Sequence, residues 1–548
     1  MPQTRELDQQ DSLELTLEIP SFAGGENTIG QDQELKVNEA RIIENWDSDS
    51  LGGMIRAKGF TQIATGGVSY SNAPDLLLHH FEGNSLRNYA VIEGDVVRIN
   101  GSSLTMTDDN KFTSGTLCHG VSAGNKAWIT NSTDNLKYTT IGGSITIPAG
   151  QPPVAKDRIY YHKSRLIAEG GAVTVYGSRA GTGNWTSVNA WSSSGDAWSI
   201  DLPDLTQGCC PNFPSGNEIS VFTKFGVYVL SGFPNVAYRP IAPGHGCSAP
   251  YSIALGTEGC YFLSQYPTLG LYVWDGVNFI NLTVNEDWIS QVNLSARVFG
   301  IYRENKYFIF YNETGSGVTY PNVCRYYDAR WGKWAKRTVN PSVGDTFGYP
   351  AVLTKSSNEL YVASSQQDAV YQLEDTSNSD NTYSTLANYK TKDFTSKDFG
   401  LPMDEITLKL LKAVITYYGS VGQFSLAWTS ERGLHSGQMV VPLTSNGDLI
   451  NTTFTVNTSY LSTLPPDKTI SRPFSNMAVG RRFSFQLLNS ASGDRPKIKK
   501  VKILATIVGD SQPIVFGTPS SGIASGQDSL VNPDSGLVIT EGGQTIET

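Results

Sequence analysis

Lys306-Tyr-Phe-Ile-Phe310 is one copy of a short pattern that recurs six or seven times between about Asn84 and Glu374. In each copy a polar turn leads into an apolar run, a second turn and another apolar run. The second run ends on an aromatic residue that a polar or acidic residue follows. Successive copies begin roughly 40 to 55 residues apart, the spacing of four-stranded propeller blades. The copies begin at Asn88, Lys126, Arg165, Glu218, Gly259, Lys306 and Glu359. The repeat therefore predicts a β-propeller of six to seven blades.

Composition favours strands over helices. The chain has 548 residues, of which 39% are hydrophobic and 17% charged, and it contains 54 Gly, 26 Tyr and 22 Phe. Low charge with many glycines and aromatics suits strands that are joined by tight turns. Helical patterns are brief, at 38–46, 284–294 and 403–411. We therefore expect an all-β protein that is large enough for two or more domains.

Charge excludes some classes of partner. The formal net charge is −10, and no Lys/Arg-rich run that could follow a phosphate backbone stands out. Stable binding to nucleic acid or to an anionic membrane is therefore not expected. Residues 1–10 lack the apolar stretch of a secretory signal, and no apolar run is long enough to span a bilayer. These features predict a protein that is made and kept soluble in a cytoplasm.

The first fifty residues differ from the repeats that follow. Residues 13–19 alternate apolar and polar side chains and predict one strand, and residues 38–44 predict a short helix. Segment 1–50 is too small to form a core of its own. We expect it to be an extended N-terminal arm that packs along the main domain or along a neighbouring copy.

Three further segments follow the arm. The propeller is predicted at 51–386, and the period stops after it. Segment 387–510 predicts an antiparallel β-sandwich, and segment 511–548, rich in Gly and Ser, predicts a flexible or partner-ordered tail. The strand-like runs of the sandwich lie at 408–418, 423–429, 454–457, 482–488 and 497–508.

Aromatic residues end several of the predicted hairpins. Examples are Trp185, Phe279 and Trp334. A large ring at this position fills the wedge between adjacent blades, which is the structural interpretation. The alternative is a platform for stacking carbohydrate, with Trp185, Trp191 and Trp198 as its candidates. Two long irregular loops, at 203–217 and 233–250, are predicted either to contact a partner or to cover a blade edge.

A search for catalytic motifs finds none. Ser178-Arg-Ala-Gly-Thr-Gly-Asn-Trp185 is similar to the structural turn of sialidase propellers, but Ala180 replaces its defining Asp. The histidines lack metal-ligand spacing, and an Asp108-Asp109-Asn110 turn is better explained by solvation than by a cation. No nucleophile elbow or phosphate loop is present. We therefore predict no enzyme activity, no cofactor and no metal, and we assign no binding residues.

The cysteines point to a reducing environment. None of them shows a Cys-x-x-Cys or metal-knuckle spacing, so buried, reduced thiols are expected. A Cys209–Cys247 or a Cys210–Cys247 disulfide is the alternative. The six are Cys118, Cys209, Cys210, Cys247, Cys260 and Cys324.

Several short motifs resemble the tail hub, or nozzle, proteins of short-tailed bacteriophages, which are also called tail stabilisation proteins. The opening Ser21-Phe-Ala-Gly-Gly-Glu-Asn-Thr28 is similar to theirs. The other motifs are Glu44-Asn-Trp-Asp47, Lys58-Gly-Phe60, Phe225-Gly-Val-Tyr-Val-Leu-Ser-Gly-Phe233, Tyr326-Tyr-Asp-Ala-Arg-Trp-Gly-Lys-Trp334, Lys390-Thr-Lys-Asp-Phe394 and Gly480-Arg-Arg-Phe-Ser-Phe485. The resemblance covers about residues 20–510.

The resemblance implies a structural protein of the virion tail, without enzyme activity, that is assembled in the host cytoplasm. Such proteins form a ring, usually of six copies, below the portal and its adaptor. The ring continues the DNA channel, retains the genome and docks fibres or spikes. An acidic chain suits a conduit through which DNA slides without specific binding. The alternative function is a carbohydrate-binding propeller that acts as a receptor-binding tail component. A hydrolase, the third class considered, would need paired carboxylates at the propeller mouth.

Overall fold

The protein is built almost entirely from β-strands. The computed structural model describes residues 14–28, 35–48, 52–57, 60–64, 70, 74–82, 85–100, 103–109, 111–192, 196–284, 286–314, 321–338, 347–352, 359–364, 370–373, 387–404, 406–417, 422–431, 435–443, 467–475, 477–489, 496–508, 530–531, 538–539 and 545–546. Within these ranges the helical segments are three short 3₁₀ helices, at Thr182–Asn184, Pro250–Ser252 and Asp287–Gln291. The all-β prediction is confirmed.

Five strands precede the first complete blade. They are β1 (Leu15–Ile19), β2 (Ala40–Glu44), β3 (Trp46–Ser48), β4 (Met54–Arg56) and β5 (Phe60–Ala64). The predicted strand at 13–19 is confirmed by β1, in which buried and exposed side chains alternate. The predicted helix at 38–44 is wrong, because β2 occupies this segment. A bulge between Ala40 and Ile42 breaks the alternation of β2 and hides its strand pattern.

Two other helix predictions are also wrong. The pattern at 284–294 corresponds to the single 3₁₀ turn Asp287–Gln291. The pattern at 403–411 runs into a long strand that begins at Leu408. Short apolar runs do not distinguish a helix from a buried strand, and here the sheet neighbours decide.

Seven blades surround a common axis in the described part of the chain. Six of them take their strands in sequence order from the chain. Blade 1 contains β6 (Leu76–Glu82), β7 (Ser85–Ile92), β8 (Asp95–Asn100) and β9 (Ser103–Asp108), and blade 2 contains β10 (Cys118–Ala123), β11 (Lys126–Asn131) and β12 (Lys137–Thr139). Blade 3 contains β13 (Arg158–His162), β14 (Arg165–Glu169), β15 (Thr174–Gly177) and β16 (Trp198–Asp201), and blade 4 contains β17 (Thr206–Pro211), β18 (Ile219–Thr223), β19 (Gly226–Ser231) and β20 (Ala237–Pro243). Blade 5 contains β21 (Ala254–Leu255), β22 (Cys260–Ser264), β23 (Gly270–Trp274) and β24 (Phe279–Asn281), and blade 6 contains β25 (Phe299–Arg303), β26 (Lys306–Tyr311), β27 (Val323–Asp328) and β28 (Lys333–Arg337).

Blade 7 closes the ring with strands from two distant parts of the chain. It combines β29 (Phe347–Val352), β30 (Leu360–Ser364) and β31 (Val370–Leu373) with β5, which pairs antiparallel with β31. The first strand of each blade packs on the first strand of a neighbouring blade, and β29 of blade 7 contacts β6 of blade 1. Strand β5, which directly precedes blade 1 in the sequence, therefore joins the last blade to the first.

The repeats of the sequence mark one position in every blade. Each copy falls on the second strand, from β7 in blade 1 to β30 in blade 7. These strands are apolar because they are buried between neighbouring blades. The wedges between blades are filled by apolar clusters that join residues of adjacent blades, as Leu77 of blade 1 and Val370 of blade 7 do. The blade count predicted as six to seven is seven in the described residues.

The second domain is a sandwich that shares a sheet with the propeller. Its C-terminal strands are β32 (Ala387–Thr391), β33 (Phe394–Thr395), β34 (Leu408–Tyr417), β35 (Gly422–Ser430), β36 (His435–Leu443), β37 (Lys468–Pro473), β38 (Val479–Gly480), β39 (Arg482–Asn489) and β40 (Lys497–Ile507). One layer is a ten-stranded sheet that runs from blade 6 through β28 and β2 to β32, β39, β35 and β36. The other layer has seven strands in the order β3-β4-β40-β34-β37, with β1 paired to β40 and β38 paired to β34.

The three described strands of segment 1–50, β1 to β3, therefore belong to the sheets of the sandwich. Strand β1 pairs with β40 from Leu15–Ala505 to Ile19–Val501, and β2 pairs with β32. Packing along the main domain was one of the two expectations for segment 1–50. The structure goes further, because the strands of this segment complete both sandwich sheets instead of forming a separate arm.

Blade 4 corrects the prediction of two long loops. The segment at 203–217 contains β17, the inner strand of blade 4, and the segment at 233–250 contains β20, its outer strand. Prolines suggested loops, but an outer strand tolerates Pro240 and Pro243 because one of its edges needs no ladder partner. The predicted strand at 454–457 lies outside the described residues. Of the predicted tail, three two-residue strands are described, β41 (Leu530–Val531), β42 (Val538–Ile539) and β43 (Thr545–Ile546).

Candidate functional site

The aromatic residues at the hairpin ends fill the wedges between blades, as predicted. Trp185 is 1% exposed and packs edge-on against Trp128 of blade 2. Trp191 is 9% exposed, and Trp198 is half-buried against Phe233. A carbohydrate platform needs exposed rings, so these three tryptophans do not form one in this arrangement.

The turn that is similar to the sialidase motif has a structural role here. The Ser178 hydroxyl accepts a hydrogen bond from the Leu166 amide, and the indole of Trp185 donates to the Arg179 carbonyl. The carboxylate of Asp196 accepts from the Ala180 amide at 3.2 Å. Asp196, sixteen residues after Ala180, thus supplies a carboxylate that holds the turn in place.

The other residues singled out by the sequence are dispersed. All six cysteines are buried and unbridged, and burial raises the pKa of Cys118 and Cys209. Asp108 bonds to the Ile145 amide and to Lys111. Among the described residues, no group of three or more His, Cys, Asp or Glu side chains is placed to hold a metal ion.

The propeller axis holds two small cavities. Cavities of about 150 Å³ and about 210 Å³ share His119 and Tyr160, which lie on the inner strands of blades 2 and 3. Tyr251 and Phe299 also line the smaller cavity, and Cys209 lines the larger. Side chains therefore narrow the axis. Cavities of about 150 and 210 Å³ hold a few water molecules and have no room for duplex DNA.

The charged groups beside the cavities are paired with one another. Arg158 binds Glu169 through two hydrogen bonds of 2.7 and 3.2 Å, and the Tyr160 hydroxyl donates to the same carboxylate at 3.3 Å. Burial and the Arg158 charge lower the pKa of His119 to about 3. Its Nδ1 accepts from the Ile159 amide, so the neutral ring carries its proton on Nε2. Burial also raises the pKa of Tyr160, so His119 is neutral and Tyr160 keeps its proton near neutral pH.

Most of the motifs behind the tail-hub resemblance meet at the junction between propeller and sandwich. Phe22 of the first motif packs edge-on against Tyr389 of β32, with ring centres 5.2 Å apart. The amide of Glu26 donates to the Trp334 carbonyl in β28, and the Tyr326 hydroxyl donates to the Trp46 carbonyl. Residues that are distant in the sequence thus form one contiguous junction.

The buried carboxylate of Asp47 binds side chains from three strands of blade 6 at this junction. Asp47 of β3 accepts from Arg337 at 2.6 Å, from Lys306 at 3.2 Å and from the Tyr326 hydroxyl at 2.5 Å. Burial would raise the pKa of Asp47, but the Arg337 and Lys306 charges outweigh it and hold the pKa well below its usual range. Asp47 therefore stays ionised and links the N-terminal strands to blade 6.

A second cluster places two carboxylates beside one cation. Arg325 of β27 binds Glu26 and also donates to the Tyr311 hydroxyl at 3.3 Å. Glu286 accepts from the indole of Trp288, whose ring lies 5.0 Å from the Arg325 guanidinium. Burial, reinforced by the Glu26 charge, raises the pKa of Glu286 to about 8. Burial also raises the pKa of Glu26, despite Arg325 and the more distant Lys336.

This cluster makes stability depend on pH. The pKa of Glu286 in the folded protein, about 8, exceeds the value of about 4.3 for an unfolded chain. Its contribution to stability is therefore full below pH 4.3 and is lost as the pH rises through 8. We expect the thermal midpoint of the wild type to fall by several degrees between pH 5 and pH 9.

Glu286→Gln should flatten this profile, since an amide does not titrate. Each kcal/mol shifts the midpoint by about 1 °C in a protein of 548 residues, given an unfolding entropy of about 2.1 cal/mol/K per residue. Differential scanning calorimetry of both proteins across the pH range makes the comparison, with exposed Asp287→Asn as the matched control. Equal slopes in wild type and Glu286→Gln would contradict the assignment.

Comparisons with known proteins reach no further than the fold. Neither a family model nor a curated protein matches the chain. Solved structures similar to it include a computationally designed protein, Ika8, with 11% identity, a TM-score of 0.34 and coverage of 57% of this chain and 99% of that one. The WD40 β-propeller domain of Doa1 has 10% identity, a TM-score of 0.37 and coverage of 58% and 98%. The N-terminal domain of Nup159 has 8% identity, a TM-score of 0.37 and coverage of 61% and 100%. The propeller assignment rests on the sheet topology itself. No helix within the described ranges is long and apolar enough to cross a membrane.

Sequence reasoning missed the groups that hold the junction. Asp47, Glu26 and Arg325 lie 21 to about 300 positions apart, so no local spacing connects them. The double glycine of the first motif is the one local signal. Gly24 packs so closely on the Asn38 backbone that a side chain has no room there.

Proposed function

We propose that this protein is a structural component of a short-tailed phage virion, the tail hub or nozzle, and that it is not an enzyme. Six copies form a ring below the portal and adaptor, continue the DNA channel, retain the genome and dock fibres or spikes. Its place is the virion tail, after assembly in the host cytoplasm.

One observation carries the proposal. Most of the motifs that resemble tail hub proteins lie together at the propeller–sandwich junction, with Phe22, Asp47 and Tyr326 among their residues, whereas Phe225–Phe233 lies in blade 4. A continuous ten-stranded sheet crosses this junction and fixes the two domains to each other. Rigid coupling of two domains suits a wall element that has to withstand the pressure of a packaged genome.

The propeller axis also favours this arrangement over a conduit inside each subunit. Cavities of about 150 and 210 Å³ on the axis exclude duplex DNA. In the proposed ring the channel therefore lies between the copies and not within any propeller. The charged groups on the axis are already paired, as Arg158 is with Glu169, which supports a packing role for them.

Light scattering with and without portal and adaptor rings tests the proposal. We expect a protein that is monomeric alone and adds about six copies to the assembled platform. A platform from an unrelated phage is the control. A monomer that ignores the platform but is retained on a glycan surface would instead support the carbohydrate-binding alternative.

A further inference from the structure

The outer face of the seven-stranded sheet carries an unusual density of lysines. Strand β40 reads Lys497-Ile-Lys-Lys-Val-Lys502, and Ile498, Val501 and Ile503 of this strand are buried. A strand that buries these residues directs its lysines to the opposite, outer face. We call this surface the lysine face, and its six lysines are Lys409 and Lys412 of β34 and Lys497, Lys499, Lys500 and Lys502 of β40.

The lysine face is open to solvent. The side chains of Lys412, Lys499 and Lys500 are 46%, 41% and 40% exposed. Three carboxylates lie among the lysines, since Glu14 pairs with Lys412, Glu18 with Lys500 and Asp467 with Lys499. The face keeps an excess of positive charge. The expectation that no basic run exists in the sequence overlooked the stretch in β40.

The charge of this region is opposite to that of the whole chain. Residues 387–508 contain 15 Lys and Arg against 8 Asp and Glu, a net charge of +7, while the chain as a whole carries −10. Such an asymmetry provides two surfaces that can attract each other when copies meet.

An acidic surface lies on one face of the propeller. In an antiparallel blade, the turn after the first strand and the turn after the third strand lie at the same end. These turns in blades 4 to 6 carry Glu218, Glu258, Asp275 and Glu304, together with Arg330. Two of the carboxylates are paired, Glu218 with Arg239 and Glu304 with Arg303, so Glu258 and Asp275 carry the acidic charge that has no arginine pair among the described contacts. Beside them, Leu255 and Val277 are 44% and 79% exposed. We call this surface the acidic rim.

We propose that the lysine face of one copy docks on the acidic rim of the next copy. This inference rests on the proposed ring and names the surfaces that close it. A ring needs two different, complementary patches on each chain, and the two faces meet this requirement. Exposed Leu255 and Val277 supply apolar area that such a contact would bury.

The size of the lysine face fits a subunit contact. The outer face of this sheet is five strand positions wide, in the order β3-β4-β40-β34-β37, and presents an area on the order of 600 Å², given a strand spacing of about 4.8 Å. A standard interface buries about 800 Å² on each partner. A nucleic acid is a poorer fit, because Glu14, Glu18 and Asp467 would repel phosphates.

Charge reversal on both surfaces tests the docking. The first variant, Lys409→Glu with Lys502→Glu, makes the lysine face acidic. The second variant, Glu258→Lys with Glu304→Lys, makes the rim basic. We expect each variant alone to assemble on the platform about tenfold or more weakly than wild type at low salt, because like charges then face each other. Circular dichroism and the thermal midpoint verify that both variants remain folded.

Mixing the two variants gives the decisive measurement. In an alternating ring every contact again joins opposite charges, so an equimolar mixture should recover assembly, as should one chain that carries all four substitutions. Native mass spectrometry should then find equal numbers of both variants in each ring. Lys224→Glu, in the turn after the second strand of blade 4 and so at the opposite end of the propeller from the acidic rim, is the control and should assemble normally.

Three results would overturn the inference. The first is normal assembly of both variants, and the second is a mixture of folded variants that fails to recover. The third is normal assembly of Lys409→Glu with Lys502→Glu accompanied by loss of binding to a 30-base-pair duplex, since the face would then serve nucleic acid. In the first and third cases the wild-type ring still supports the tail-hub function, whereas absence of any wild-type ring contradicts the function itself.

Discussion

Asp47→Asn lowers the free energy of unfolding by about 3 to 5 kcal/mol, the range for breaking a buried ion pair by removing one partner. The amide leaves the Arg337 and Lys306 charges buried without their counterion. Urea unfolding followed by tryptophan fluorescence at pH 7 measures the loss. The pKa of Asp47 lies far below its usual range, so its contribution is present above about pH 4 and is lost only at lower pH.

The matched control is the same substitution at an exposed ion pair. Asp467→Asn removes the partner of Lys499, where both side chains are more than 40% exposed. Exposed pairs contribute about 0 to 1 kcal/mol, so this variant should unfold almost as wild type does. Equal effects of the two substitutions would show that the Asp47 network does not hold the junction.

Gly24→Ala should destabilise the protein by about 3 kcal/mol or more, at the upper end of overpacking effects. A Cβ at this position would lie 1.9 Å from the carbonyl oxygen of Asn38 and 2.2 Å from its carbonyl carbon. Both atoms belong to the backbone, so a rotamer change cannot relieve the clash. The two parts of the segment between β1 and β2 that meet at Gly24 and Asn38 would have to move apart.

Unfolding midpoints in urea measure this effect, with Gly183→Ala as the control. Gly183 lies in a 3₁₀ turn and has no atom within 4 Å of its added Cβ. Its substitution should be neutral or slightly stabilising. A Gly24→Ala protein with the wild-type midpoint would mean that this segment does not pack on Asn38 as described.

The sequence predicts the propeller well because each blade repeats one buried strand. The second strands, such as Lys306–Tyr311, are apolar in every copy, and a repeated burial produces a repeated pattern. Blade closure is different. Strand β5 belongs to blade 7 because it pairs with β31, about 300 residues later. The repeat pattern does not predict which distant strand completes a blade.

The junction could not be predicted for the same reason. Asp47 and Arg337 are 290 positions apart, and their contact depends on how the two domains are arranged. The motifs of the resemblance include residues of the junction, such as Ser21–Thr28, but they do not indicate what these residues contact. At blade 4, prolines suggested loops where the structure has strands, because composition does not indicate which strand edge is left unpaired.

The pairing of β1 with β40 also governs the order of events during synthesis. Leu17 of β1 lies opposite Ile503 of β40, so β1 cannot pair until β40, near the end of the chain, has been synthesised. At roughly 5 to 20 residues per second, this wait amounts to some tens of seconds on the ribosome. The propeller strands β6 to β28 can collapse meanwhile, whereas β1 and β5 stay without their partner strands β40 and β31. Contacts this distant in sequence also slow folding after release. Chains that end before β40 therefore lack a strand that pairs with β1, β4 and β34 in the seven-stranded layer, so this layer of the sandwich cannot form until synthesis is nearly complete.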